Sequence, residues 1–281
     1  MRYSLRFLLY PISLLGLFAS LGSCAEKRTG SQKWVLDKTI TLDGVNPIGL
    51  AVLGDSLWLS DGDHNRVVAV NERGALIDSI GALERPMHIA AHQNQLWIPQ
   101  YGADSVIGVN PSTMAREILV LKDALDAPAA VSFFGAEKAI ADFYNHRILY
   151  FNGDSWLSFG KEGKDLGEFY YPTDVQITQK FIWVADAYNN RVQVFDKQGQ
   201  FVQVIGASQK MNAATGLFVS EEQLFVTDFE NHRVLIFYHD GQLAQVLDQG
   251  LEKPIDALII RDSLYVADYK KSQLQRYYFD R

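Results

Sequence analysis

Pro172-Thr173-Asp174-Val175-Gln176-Ile177, Phe181-Ile182-Trp183-Val184-Ala185-Asp186, Arg191-Val192-Gln193-Val194-Phe195 and Phe201-Val202-Gln203-Val204-Ile205 are four short runs rich in β-branched and aromatic residues. Gly160, Gly163, Gly167 and Phe169 lead into them, Tyr188-Asn189-Asn190 and Gly199 separate them, and Gly206 closes the set. Runs of this composition, punctuated by Gly, Asn, Asp and Pro, predict four antiparallel strands with tight connections. No window in the unit has the i, i+3, i+4 spacing of an amphipathic helix.

The same unit recurs along the chain. Its second strand ends at Asp61, Asp142, Asp186, Asp228 and Asp268, with Gln100 in the corresponding place of one copy. The spacings between successive copies are 39, 42, 44, 42 and 40 residues. An Arg follows five residues after the Asp at Arg66, Arg147, Arg191 and Arg233, and a Pro opens five copies at Pro47, Pro86, Pro128, Pro172 and Pro254. A period near 40 with four strands per unit is the mark of a β-propeller. The fold class predicted is therefore all-β, a six-bladed propeller of four-stranded antiparallel blades over roughly 45–81, 82–121, 123–163, 167–206, 210–250 and 251–281.

The Gly-rich lead-in through Phe169 and Pro172, the Val-Ala-Asp end of strand two and the Asn-Arg-Val opening of strand three resemble NHL repeats. The resemblance covers residues 34–281, is strongest in the fourth copy, and weakest in the second and sixth. It implies the fold. It does not fix a function, since such propellers include binding modules and enzymes alike.

The two ends of the chain carry complementary deficits. Trp34-Val35-Leu36-Asp37-Lys38-Thr39-Ile40-Thr41-Leu42 matches the fourth strand of a repeat, whereas the last copy ends at Tyr277-Tyr278-Phe279 after three strands. The N-terminal strand is expected to join the last blade and close the ring, removing two open sheet edges.

Before that strand, Met1-Arg2-Tyr3-Ser4-Leu5-Arg6 is a short basic start, and Phe7 to Leu21 is an uncharged apolar run. This is the pattern of a secretory signal, too short to span a bilayer comfortably. Leu21-Gly22-Ser23-Cys24 follows, with the single Cys of the chain, and resembles the bacterial lipobox. A lone Cys has no internal disulfide partner. The resemblance implies that Cys24 becomes the mature N-terminus and carries lipid, which at about 0.8 kcal/mol per buried methylene holds a protein firmly on a membrane. The expected organisation is a signal peptide over 1–23, a polar tether over 24–33 and one propeller domain over 34–281. The expected location is the bacterial cell envelope, on the extracytoplasmic side.

Loss of Arg2 and Arg6 with the signal moves the formal charge from −7 to −9. An acidic chain opposes nucleic-acid binding through phosphate neutralisation.

Three sets of residues could carry function. The repeated Asp and Arg read as a partly buried ion pair fixing the turn between strands two and three; a catalytic role needs one site rather than several equal ones. The second copy, with Gln100 and Ser105, lacks this pair, and its loop is expected to be freer. His64, His146 and His232 fall in the same turns, and His92 and His239 in others. Next, the position two residues after the opening Pro is Gly49, His88, Ala130, Asp174, Gly216 and Asp256 around the ring. The family geometry implies that these face the mouth of the central channel, where His88, Asp174 and Asp256 could coordinate a divalent cation or grip a polar ligand. The same Asp side chains could instead bond local backbone amides. Finally, Tyr101, Phe143, Tyr144, Tyr188, Phe229 and Tyr269 follow the repeated Asp by one or two residues, and Phe169, Tyr170 and Tyr171 lie in the connection into blade four. In a propeller these connections emerge on one face, and Tyr-rich loops suit a protein or glycan partner.

No nucleophile elbow, phosphate loop or Cys-His pairing is present in the sequence. The reading is a monomeric, lipid-anchored recognition or scaffolding module without a catalytic residue or required cofactor. The alternative is a metal-dependent lyase or lactonase-type hydrolase working at the channel mouth.

Overall fold

The computed structural model describes residues 33–280. The expected signal segment, Cys24 and the tether as far as residue 32 lie outside the described residues. Within them the chain forms six four-stranded antiparallel sheets, and the helical pieces are single 3-10 turns. The fourth repeat folds as read, with strands Pro172–Ile177, Ile182–Asp186, Arg191–Phe195 and Phe201–Ile205 pairing in sequence order.

The ring closes as the two chain ends required. Lys33–Thr41 pairs antiparallel with Gln273–Asp280, from Lys33 opposite Asp280 to Thr41 opposite Gln273, and is the outermost strand of blade six. Trp34 is buried there between the rings of Phe225 and Phe279, at centroid distances of 5.7 and 5.0 Å.

Each blade exposes apolar side chains on both faces, so it must be covered on both sides. The buried residues accordingly fall into six clusters, one at each seam between neighbouring blades. Trp183, Val192 and Val194 of blade four, for example, meet Leu217, Leu224 and Phe237 of blade five.

In five of the six blades the repeated Asp ties the blade to the connection entering it. Asp61, Asp142, Asp186 and Asp228 are fully buried and accept from the Nε of Arg66, Arg147, Arg191 and Arg233 at 2.7 to 2.8 Å. Their other carboxylate oxygen accepts a main-chain N–H of the incoming connection, such as Tyr170 N–H at 2.7 Å for Asp186 and Asn212 N–H at 2.7 Å for Asp228. The guanidinium also donates to carbonyls of that connection, from Arg147 to Ala124 and from Arg233 to Gln209, both at 2.7 Å. Asp268 keeps the main-chain contacts, to Glu252 and Lys253 N–H, without an Arg.

Blade two departs from the expectation of a freer loop. Gln100 Oε1 accepts the Glu84 N–H at 3.1 Å and its Nε2 donates to Ser105 Oγ at 3.1 Å. An amide carries one acceptor and one donor end, so it reproduces both halves of the tie without charge.

The residue before each third strand is left-handed in every blade: Asn65, Asp104, His146, Asn190, His232 and Ser272 have φ between 48° and 59°. Asn, Asp and His tolerate that conformation better than most residues. Several use the side chain to reach the next blade, as Asn190 Oδ1 does in accepting the Ala213 N–H at 2.8 Å. His146 and His232 are turn residues for this reason, while His64 stands one position earlier and contacts Asp61 at 2.8 Å.

Candidate functional site

Two groups of side chains gather at the end of the blades where strand two meets strand three. One lies on the axis and the other on the loops around it.

On the axis, the innermost strands of all six blades line a cavity of about 320 Å³. His88, Asp174 and Asp256 come from blades two, four and six, and the structure brings them together. One ligand-capable atom from each lies within 4.8 Å of the others. The remaining lining residues follow these positions along the innermost strands, so the three groups form the cavity end nearest the strand two–three turns.

Small residues in the alternate blades make this convergence possible. A Cβ on Gly216 would sit 2.3 Å from the Ile255 carbonyl oxygen and 3.1 Å from Asp256 Cα. One on Gly49 would sit 2.6 Å from His88 Cα. Ala130 of blade three pairs directly with His88, whose N–H donates to Ala129 at 3.0 Å.

The two carboxylates are held by backbone amides from two blades each. Asp174 accepts from Val175 N–H of its own blade and Leu217 N–H of the next, both at 2.8 Å. Asp256 accepts from Ala257 and from Leu50, both at 2.7 Å. Burial raises the Asp174 carboxyl above its usual range; the positive charge of His88 opposes this and the neighbouring Asp256 adds to it. For His88, burial acts to lower the imidazole, but the Asp174 and Asp256 charges prevail and raise it. His88 Nδ1 stands 3.6 Å from Asp256 Oδ2, and this buried nitrogen has no hydrogen-bond partner.

On the loops, the structure joins Tyr101, Phe143, Tyr144 and Tyr188 into one continuous aromatic surface. Tyr101 packs on Phe143 and Tyr144 at 5.7 Å, and its hydroxyl donates to that of Tyr144 at 2.7 Å. Tyr171 bridges the set, 4.9 Å from Phe143, 5.9 Å from Tyr144 and 5.0 Å from Tyr188. Tyr170 and His146 complete it, with the His146 ring stacked 5.7 Å from Tyr170 at an interplanar angle of 9°. Tyr144 and Tyr188 are the most open members, 47% and 59% exposed.

Phe229 and Tyr269 form a separate pair at 6.5 Å, with Lys253 over the Phe229 ring and Tyr269 bonded to Asp63 of blade one. Phe169 does not join the surface: it is fully buried between Phe159 and Phe195. His92 stacks on Phe133 at the far end of its strand, and His239 lies against Trp183.

Residues 169–195, from Phe169 through the Asp186–Arg191 tie to Phe195, match the family model of the NHL repeat. This chain carries an NHL repeat. A 47-residue stretch, 16% of the chain, is 49% identical to protein lin-41 of Caenorhabditis elegans. That stretch corresponds to 4% of the relative, so the chain spans only a small part of its length.

The ring as a whole is similar to solved propellers. A gluconolactonase from Xanthomonas campestris superposes with a TM-score of 0.69 over 89% of this chain and 100% of that one, at 12% identity. Virginiamycin B lyase from Staphylococcus aureus gives 0.63 over 88% and 99%, at 10% identity. At such identities the likeness is one of fold. It transfers no site residue.

Proposed function

We propose that this chain is a non-enzymatic recognition module, which binds a protein or glycan partner through the aromatic surface centred on Tyr144, Tyr171 and Tyr188. The observation that carries this reading is the continuity of that surface. Five rings from three consecutive blades touch one another, while two of them keep about half their area open to solvent. Aromatic side chains give a large contact area with few rotors to freeze, and their hydroxyls supply directional hydrogen bonds. The ordered ties beneath, from Asp142 and Asp186 to their connections, hold these loops before any partner arrives. Rigid loops bind with less loss of conformational freedom.

We propose further that Cys24 carries lipid and fixes the propeller to the outer side of a bacterial membrane. Mass measurement of the mature N-terminus tests the anchor: a diacylglyceryl thioether on Cys24 is expected, and an unmodified or absent Cys24 contradicts it. For the surface, alanine at Tyr144, Tyr171 and Tyr188 together should abolish retention of the partner from solubilised envelope on the immobilised protein. Undiminished retention removes this site.

A second reading, a metal-dependent lyase or lactonase, draws on the meeting of His88, Asp174 and Asp256 at the cavity end. Assay of the purified chain on a sugar lactone, with and without added divalent cation, separates the two. Catalytic turnover that His88→Ala abolishes would favour the enzyme.

A further inference from the structure

The two carboxylates on the axis have a structural explanation in their backbone amides; the His88 ring has only an ion-pair contact with Asp256. His88 is 5% exposed, and its Nδ1 is buried without a hydrogen-bond partner. A buried polar nitrogen left unpaired costs free energy, so it calls for a partner of some kind. The facing atom is Asp256 Oδ2 at 3.6 Å. That is too long for a hydrogen bond, which lies near 2.9 Å. Two ligands of one tetrahedral cation, each about 2.1 Å from it, stand about 3.4 Å apart.

The lone-pair count agrees. Each oxygen of Asp174 and Asp256 accepts one amide hydrogen bond, and a carboxylate oxygen has room for a second partner. Charge agrees as well. Two carboxylates and one imidazole converge, all three buried, and no other ionisable side chain lines the cavity. A buried carboxylate is stabilised by pairing or by coordinating a metal, and two carboxylates facing one imidazole leave room for a divalent charge.

We infer that His88, Asp174 and Asp256 form a binding site for one divalent transition-metal cation on the propeller axis. One imidazole with two carboxylates suits zinc or manganese, whereas calcium prefers an all-oxygen shell of six to eight ligands. Three protein ligands leave coordination positions free, and the cavity of about 320 Å³ beside them has room for water or a small oxygen ligand. The site stands apart from the aromatic surface, and its occupancy is read independently of any partner.

The test uses the full chain stripped with chelator and titrated calorimetrically with zinc, manganese and calcium chlorides in turn. Zinc or manganese should bind at one equivalent, with a melting temperature rise of about 5 °C at a hundredfold excess over Kd. His88→Ala and Asp256→Asn should each weaken binding at least tenfold. His64→Ala and His232→Ala, at exposed turn positions, should leave it unchanged. No saturable one-equivalent binding, or binding untouched by His88→Ala, overturns the inference. If the axial variants fail to fold, X-ray absorption on the zinc-loaded native chain decides: one imidazole nitrogen with oxygens supports the site, and any other nitrogen count refutes it.

Discussion

Gln245 holds the main chain of Trp34 at both its polar groups: Oε1 accepts the Trp34 N–H at 2.9 Å and Nε2 donates to the Trp34 carbonyl at 2.7 Å. The two residues are 211 positions apart, and the contact links the first described strand to blade five as well as to blade six. The strand closing the ring is thus fastened to two blades. Trp34→Ala empties a buried site between Phe225 and Phe279 and should cost about 3–5 kcal/mol, whereas Gln245→Ala should cost about 1 kcal/mol. Urea unfolding measures both. Deletion of residues 34–42 should expose the outer edge of blade six and make the whole ring susceptible to protease; unchanged resistance would mean that this strand does not close it.

The repeated Asp supports several partners at once. Asp186 accepts from Tyr170 N–H, Asn189, Arg191 and Gln193, all at 3.1 Å or less. Asp186→Ala strands a cation and several donors and should destabilise by about 3–5 kcal/mol. Gln100→Ala leaves neutral groups unpaired and should cost about 1–3 kcal/mol. A larger loss at Gln100 than at Asp186 would contradict the reading of Gln100 as an uncharged and weaker counterpart of the Asp–Arg tie.

Close approach of neighbouring blades sets the size of the residues beside the axis. Gly216→Ala drives a Cβ against the Ile255 carbonyl and should destabilise by about 1–3 kcal/mol, displacing Asp256 with it. Gly54→Ala has open space around it and bears only the strain of its positive φ, about 1 kcal/mol. Equal losses would argue against tight contact at the axis.

The hydroxyl pair in the aromatic surface has a spectroscopic consequence. Burial raises the Tyr101 phenol above its ordinary value of 10.0, and donation to Tyr144 raises it further. A raised folded-state value contributes stability that is present below pH 10 and is lost as alkalinity carries the phenol through its own titration. Tyr144→Phe removes the acceptor, so the Tyr101 phenolate should appear at lower pH in ultraviolet titration. No change would mean that the two hydroxyls are not bonded in solution.

Much of this architecture can be read from the chain before folding it. The Asp positions set the blade period, and the unmatched ends at Trp34 and Phe279 predict their own pairing. What pattern alone misses depends on side-chain direction or on the ring. Phe169, Tyr170 and Tyr171 are consecutive aromatics in one connection, yet Phe169 turns into the core and the other two outward, with Tyr171 in a left-handed conformation at φ 58°. Gln100 reads as a lost ion pair because charge is conspicuous in sequence and hydrogen-bond capacity is not. Asp174 reaches Leu217 and Asp256 reaches Leu50 only because blades curl around an axis. The spacing of His88, Asp174 and Asp256 places them in alternate blades, but the orphaned Nδ1 becomes visible only with the ring assembled.

Site-specific photocrosslinking in the living cell tests the recognition surface most directly. A benzophenone amino acid replaces Tyr144 or Tyr188 on the aromatic surface, or Ile118 on the outer strand of blade two, where the side chain is 68% exposed. Discrete adducts of one size from positions 144 and 188, absent from 118, are the expected result. Irradiation that yields no adduct at 144 and 188, or the same adducts at 118, would contradict binding through this surface.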